Sequence, residues 1–253
     1  MNMRLGTPDQ RGSTRVVRFV FGCLICVHLC SSVVAAGDHS ALDEILRNCV
    51  AEERVDYARI KSEYLPQLNQ YLAMTAEANP SAAGRDEQLA FYINVYNATM
   101  IKAVIDRDPS KFKPSDNDFA VFKEKLVQLR EGTFSLNELE NGIIRKRFND
   151  PRIHAALVCA AVSCPPILAR AYSERDLDQT LEDNVRRWLA DPTRNQIDRA
   201  NRRLKLSKIF DWYAEDFGGK EKVAAWVAGQ LGDPSLSKWS VDYLDYDWTL
   251  NRK

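Results

Sequence analysis

The sequence predicts an α+β fold, a helix-rich single domain in which short antiparallel hairpins pack around a buried central helix at about residues 85–106. Three observations carry that expectation. Apolar residues cover most of the circumference of the 85–106 stretch, helix-capping signals recur along the chain, and two short segments of strand character flank turn residues. Hydrophobic residues make up 45% of the 253, and Lys+Arg balances Asp+Glu at 35 each, an ordinary globular composition rather than a disordered or fibrous one. No nucleic-acid partner is expected from such a charge balance.

The first element is a leader. Arg4, Arg11, Arg15 and Arg18 precede an apolar run from Phe19 to Leu29, followed by Ser31, Ser32 and Val33-Val34-Ala35-Ala36-Gly37. That order is the order of a secretory signal peptide, with cleavage near Ala36. Removing 36 of the 253 residues leaves a mature chain of 217, residues 37–253, enough for one domain with a real core. The competing reading is an uncleaved N-terminal anchor, since the 18 residues from Phe19 to Ala36 approach the length that crosses a bilayer. Cys23, Cys26 and Cys30 lie inside the apolar run and none follows a small-residue lipobox. Cleavage takes away four Arg and one Asp, leaving 31 basic against 34 acidic residues. The expected location is therefore periplasmic or secreted, with contact to a membrane only through an uncleaved leader.

In the mature part, Ser40 caps a short helix and Val55-Asp56-Tyr57 leads to a second helical stretch, with Pro66 in the first turn of its last segment. Asn79-Pro80-Ser81 breaks the chain before the long helix, Arg85 to Asp106, which is apolar on nearly every side. Lys125 to Leu129 and Thr133-Phe134 form a hairpin around Arg130-Glu131-Gly132. Ser135-Leu-Asn-Glu138 is a capping box for a helix to about Phe148, weakened in its middle by Gly142. Ser173 to Asp176 caps a helix to about Ala190. A second hairpin, Gln196 to Asp198 against Arg203 to Leu206, precedes a turn from Ile209 to Phe217 and a helix from Lys220 to Leu231. The tail from Trp239 to Asn251, rich in Trp and Tyr, reads as ordered.

The chemistry-bearing residues concentrate between the two hairpins. Within eleven residues, His154-Ala-Ala-Leu-Val-Cys159-Ala-Ala-Val-Ser-Cys164 holds one of two mature histidines and two of three mature cysteines. Three readings compete. One thiol, Cys159 or Cys164, is a nucleophile with His154 as its base, giving acyl transfer or amide hydrolysis; the five-residue spacing then demands a bend. Alternatively the two cysteines form a structural disulfide, as an exported context favours. In the third reading His154 and both sulfurs bind zinc or copper, although no fourth ligand is evident and the spacing is not that of a finger. No metal or other cofactor is carried into the expected site.

Asn94 and Asn97 lie three apart on one face of the buried helix. An amide buried without partners costs about 1 to 3 kcal/mol. The pair therefore either fixes the helix against a loop or supplies an orienting group or oxyanion donor to the site. Trp212, Tyr213, Tyr243, Tyr246 and Trp248 read first as core, with a groove for a sugar or peptide as the other reading. Asp211, Asp216, Asp245 and Asp247 fit solvated turns and give no evident acid/base pair. His39, beside the expected new N-terminus, is expected to be flexible.

Ala90-Phe-Tyr-Ile-Asn-Val-Tyr-Asn-Ala98, the segment from His154 to Pro166 and Tyr246-Asp-Trp-Thr-Leu-Asn251 together resemble the domain of unknown function 547 family, in order and spacing over roughly Leu42 to Asn251. The resemblance implies the bacterial exported type of a family with no agreed biochemical role. Where the family pattern carries an Asn before its first cysteine, this chain has Val158, which removes one polar group from a catalytic arrangement. The expectation is thus an exported protein with a His154, Cys159, Cys164, Asn94 and Asn97 site of thiol-dependent acyl-transfer or amide-hydrolase type. The alternative is a noncatalytic periplasmic domain that binds a small molecule or peptide and carries a structural disulfide.

Overall fold

The fold is organised by the Arg85–Asp106 helix, whose bounds are those the sequence predicts. A computed structural model describes residues 37–253; the expected leader, with its expected cleavage point near Ala36, the cysteines Cys23, Cys26 and Cys30 and the anchor alternative, lies outside the described residues. Asp86 and Glu87 stand in the first turn of the helix, where the exposed N–H groups favour negative charge. From Gln88 to Ile105 every residue but Lys102 is buried, including Leu89, Phe91 and Ile93 with no exposure at all. Each such side chain contributes about 1.5 to 3 kcal/mol by leaving water. The helix is surrounded because the Leu65–Glu77 helix, the first hairpin, the helical stretch 136–148 and the Leu177–Ala190 helix all pack against it.

The Ser40–Cys49 helix differs at its start from the expectation. Ser40 is its first residue, and both its N–H and its hydroxyl are accepted by Asp38 Oδ1, at 3.1 and 2.7 Å. His39 is not flexible. Its ring is buried, with Nδ1 2.8 Å from the Tyr71 hydroxyl, because Leu42, Ile45 and Leu46 draw this helix onto the core. Pro66 occupies the first turn of Leu65–Glu77 as predicted.

Val127–Leu129 pairs antiparallel with Gly132–Phe134, and Leu129 opposite Gly132 leaves only Arg130 and Glu131 in the turn. The Ser135–Glu138 capping box forms, and the helical stretch it starts widens into a π turn at Leu139–Ile144. Gly142 lies inside that turn, at the point where the sequence weakens the helix. Gln196–Asp198 and Arg203–Leu206 form the second hairpin, and Ser240–Tyr243 adds a parallel strand beside Arg203–Leu206 that the sequence pattern does not reveal. Among the described residues no helix is long and apolar enough to cross a membrane.

Two hydrophobic clusters result. One surrounds the central helix; the other gathers Trp188, Leu204, Phe210, Phe217, Val227 and Leu236, with Trp188 and Phe210 stacked at 4.7 Å. Tyr246 packs against both and marks the seam between them.

Candidate functional site

Local chain chemistry delivers His154 to that seam. The helical stretch ends at Asn149 in the left-handed region (φ 48°), a conformation asparagine tolerates better than most residues. Asp150 then accepts from the Arg152 N–H at 3.1 Å and pairs with its guanidinium at 2.8 Å, and Pro151 opens the tight turn Pro151–Ala155. The main chain that follows is held from two sides. Asn184 donates to the Ala155 carbonyl. Asn97 donates to the Ala156 carbonyl and accepts from the Val158 N–H, both at 2.9 Å.

Asn94 repeats the device one turn earlier, donating to the Tyr172 carbonyl at 2.8 Å and accepting from the Tyr172 N–H at 2.9 Å. Both asparagines therefore hold loops against the central helix. These contacts correspond to the reading in which the pair fixes the helix against a loop, and neither asparagine lines the cavity described below. Asn184 is a third lock of this kind that the sequence does not distinguish from a surface residue.

Cys159 and Cys164 are joined as a disulfide. Of the three readings of these sulfurs, this form corresponds to the disulfide, and with the sulfurs bonded to each other neither is a thiolate nucleophile or a metal ligand. Cys49 is the remaining free cysteine among the described residues, with burial pushing its thiol up. The five-residue loop is closed by Ala160, left-handed at φ 63°, and by the tail. Asn251 N–H donates to the Ala160 carbonyl at 2.9 Å and Val162 N–H to the Thr249 carbonyl at 2.8 Å. This pairing seats Tyr246 over the disulfide, its hydroxyl 3.1 Å from Cys159 Sγ and 3.5 Å from Cys164 Sγ. The Cys159 N–H donates to Cys164 Sγ at 2.8 Å.

The second hydrophobic cluster brings the group that the sequence conceals. His154 Nε2 lies 2.6 Å from Asp216 Oδ2, while Arg145 Nε and Nη2 donate to the two oxygens of the same carboxylate at 2.6 and 2.7 Å. Burial works against the Asp216 charge, but His154 and Arg145 overcome it and hold the carboxyl well below its usual range. The imidazole rests on Tyr213 at a centroid distance of 4.2 Å and on Phe217 at 5.5 Å. Among the described residues nothing hydrogen-bonds Nδ1, so an Asp216 that accepts from Nε2–H leaves Nδ1 as the basic nitrogen. Asp216 is thus the carboxylate partner that the four-aspartate pattern fails to reveal. Asp211 pairs instead with Lys208 and Lys220, and Asp247 accepts from the Thr249 N–H.

His154, Cys159 and Cys164 line one cavity of about 480 Å³. Glu140, itself only 6% exposed, enters from the π turn, a geometry frequent at functional sites. Tyr96 and Tyr213 line the same cavity; burial, reinforced by the Glu140 charge, raises both phenols far above their ordinary value and keeps them protonated. Trp212, Trp248, Tyr246 and Phe119 form an aromatic wall, with centroids 4.5 to 5.7 Å apart. Trp212 is 46% exposed, so this part of the aromatic cluster is a groove rather than core; Tyr243 lies elsewhere, under Lys208.

The two sulfurs, His154, Glu140, Asn94 and Asn97 lie between residues 80 and 189, whereas Asp216, Tyr213 and the aromatic wall except Phe119 come from beyond that span. Neither the curated proteins nor the solved structures contain a match to this chain. Residues 80–189 match the family described as "Protein of unknown function, DUF547".

Proposed function

We propose that the protein is a thiol-dependent enzyme of acyl-transfer or amide-hydrolase type, active when its disulfide is reduced. The observation that carries this reading is the 2.6 Å pair of His154 and Asp216 at the wall of a cavity shared with Cys159. A carboxylate-oriented imidazole is the usual means of activating a thiol, and a cavity of this size accepts a small molecule or a peptide end.

Cys159 is the nucleophile, being partly exposed where Cys164 is 2% exposed. An external dithiol reduces the Cys159–Cys164 bond, supplying two electrons and two protons and closing to its own disulfide. Cys159 then passes its proton to His154 Nδ1, and its sulfur bonds to the substrate carbonyl carbon. The bond to the leaving group breaks as His154 returns the proton to it, leaving an acyl group on sulfur. Water or an amine takes that group in the second half, with His154 again accepting and returning the proton. The Tyr246 hydroxyl, which burial keeps protonated, is a donor within reach of the charge that develops beside Cys159.

The test is mass spectrometry of the reduced and the oxidised protein after exposure to p-nitrophenyl acetate. An acetyl group on Cys159 of the reduced form alone, absent in His154→Ala, is expected. Reduced protein acetylated only at random surface lysines contradicts the reading.

The disulfide itself favours a second reading, a binding domain whose cysteine pair is structural, and it accords with a periplasmic or secreted location after leader removal. On that reading reduction destabilises the protein without exposing a reactive thiol.

A further inference from the structure

We infer that the cavity binds an organic ammonium group, held by the Glu140 carboxylate and the aromatic wall. The inference rests on the proposed acyl-transfer reading only for the role of that ammonium, which would belong to the acyl substrate or to the amine acceptor. Its binding does not depend on thiol chemistry.

Three observations converge on it. Glu140 is buried to the same degree as the core around it, yet no Lys or Arg among the described residues stands within ion-pair distance. Arg145, five residues further on, gives Nε and Nη2 to the two oxygens of Asp216, and Lys123, which also lines the cavity, pairs with Asp118 at 2.5 Å. A buried carboxylate facing a cavity without a cationic partner is one that a ligand cation completes.

The wall beside it has the matching chemistry. Trp212 and Trp248 lie nearly parallel (22°) at 5.7 Å, with Tyr246 and Phe119 against them. Indole and phenol faces attract ammonium groups through the ring quadrupole, and the attraction grows as water is excluded. Tyr96 and Tyr213, phenols that burial keeps protonated, line the cavity together with Glu140.

Phe119 belongs to the same design by its backbone. Asn117, Asp118 and Phe119 are consecutive residues with left-handed φ of 51°, 56° and 60°, none of them glycine. Strain of this kind concentrates at ligand clamps. Here it delivers an aromatic ring to within 4.8 Å of Trp248.

The experiment uses the full mature chain with its disulfide intact, so that no acyl chemistry intervenes. n-Butylammonium, tetramethylammonium and the neutral isostere 1-butanol are titrated by calorimetry and by tryptophan fluorescence, which Trp212 and Trp248 report. At least one ammonium is expected to bind about tenfold or more tightly than the alcohol. A preference for tetramethylammonium would assign a methylated ammonium, and a preference for n-butylammonium a primary amine. Glu140→Gln is expected to abolish the preference. Trp248→Leu, which leaves the carboxylate, is expected to weaken both cations. Equal affinity for cation and alcohol, no measurable cation binding, or a preference that survives in folded Glu140→Gln would overturn the inference. Loss of acetylation at Cys159 with ammonium binding intact would count against the acyl-transfer reading alone.

Discussion

The loop-facing side of the central helix and the cavity at its other boundary both bury polar side chains, and they treat them in opposite ways. On the loop side, Asn94 and Asn97 give donor and acceptor alike to the main chain at 2.8 to 2.9 Å. In the cavity, Glu140 makes no ion pair among the described residues, and His154 uses Nε2 and leaves Nδ1 open. Complete pairing marks residues that hold the fold. Incomplete pairing beside an open volume marks residues kept for a ligand.

Substitutions should separate the two regions. The largest loss of stability is expected from Asn97→Ala, which strands the Ala156 carbonyl and the Val158 N–H in the core. Two unmet main-chain groups cost about 2 to 5 kcal/mol, read as a lower denaturant midpoint. A change smaller than about 1 kcal/mol would remove the distinction.

Acid should act next. Burial lowers His39 from the ordinary histidine value to about 4. The unfolded chain then takes up a proton that the folded chain refuses, so stability is complete above about pH 6.5 and falls as pH drops towards 4, by ~3 kcal/mol. Thermal melts of His39→Gln should lack that slope between pH 6.5 and 4. Asp216 adds a separate loss at lower pH. Its lowered carboxyl gives stability that is present above about pH 4 and disappears as it protonates.

The cavity substitutions should be mild in stability and severe in chemistry. Asp216→Asn leaves Arg145 without its counter-charge at a half-buried site, a cost of about 1 kcal/mol, but is expected to slow acylation of Cys159 by about 100-fold or more. Glu140→Gln, the smallest of the set, should leave the melting temperature unchanged or slightly raised, since it removes an unbalanced buried charge. A large destabilisation there would place Glu140 with the asparagines.

Sequence and structure agree where one element suffices to define the pattern. The central helix is legible because apolar residues fill its whole circumference, the hairpins because strand residues flank turns, and the Ser135 helix because its capping box is local. His154 and the cysteine pair are legible because rare residue types fall within eleven positions. Asp216 and Arg145 are hidden because they meet His154 only in three dimensions, the carboxylate 62 residues along the chain. Charged residues on separate elements look alike until the fold brings them together. Two signals were nevertheless present. Asp216 sits beside Phe217 in an aromatic window opened by Trp212-Tyr213, and Glu140 occupies the i+4 position between Leu136 and Ile144, both fully buried. A carboxylate on a helix's apolar stripe is better explained by a site than by solvent. The parallel strand Ser240–Tyr243 was hidden by its aromatic tail composition and by its distance in sequence from its partner.

Activation of Cys159 by His154 and Asp216 is read most directly from the pH dependence of iodoacetamide alkylation in the reduced protein, with Cys159 and Cys164 resolved by peptide mass. Cys159 is expected to react faster than Cys164 and to retain its rate well below pH 8.5, the ordinary thiol value. In His154→Ala that advantage should vanish. A Cys159 that titrates as an ordinary thiol, with the same profile in His154→Ala, would rule out that activation and leave the disulfide as a structural clasp on a binding cavity.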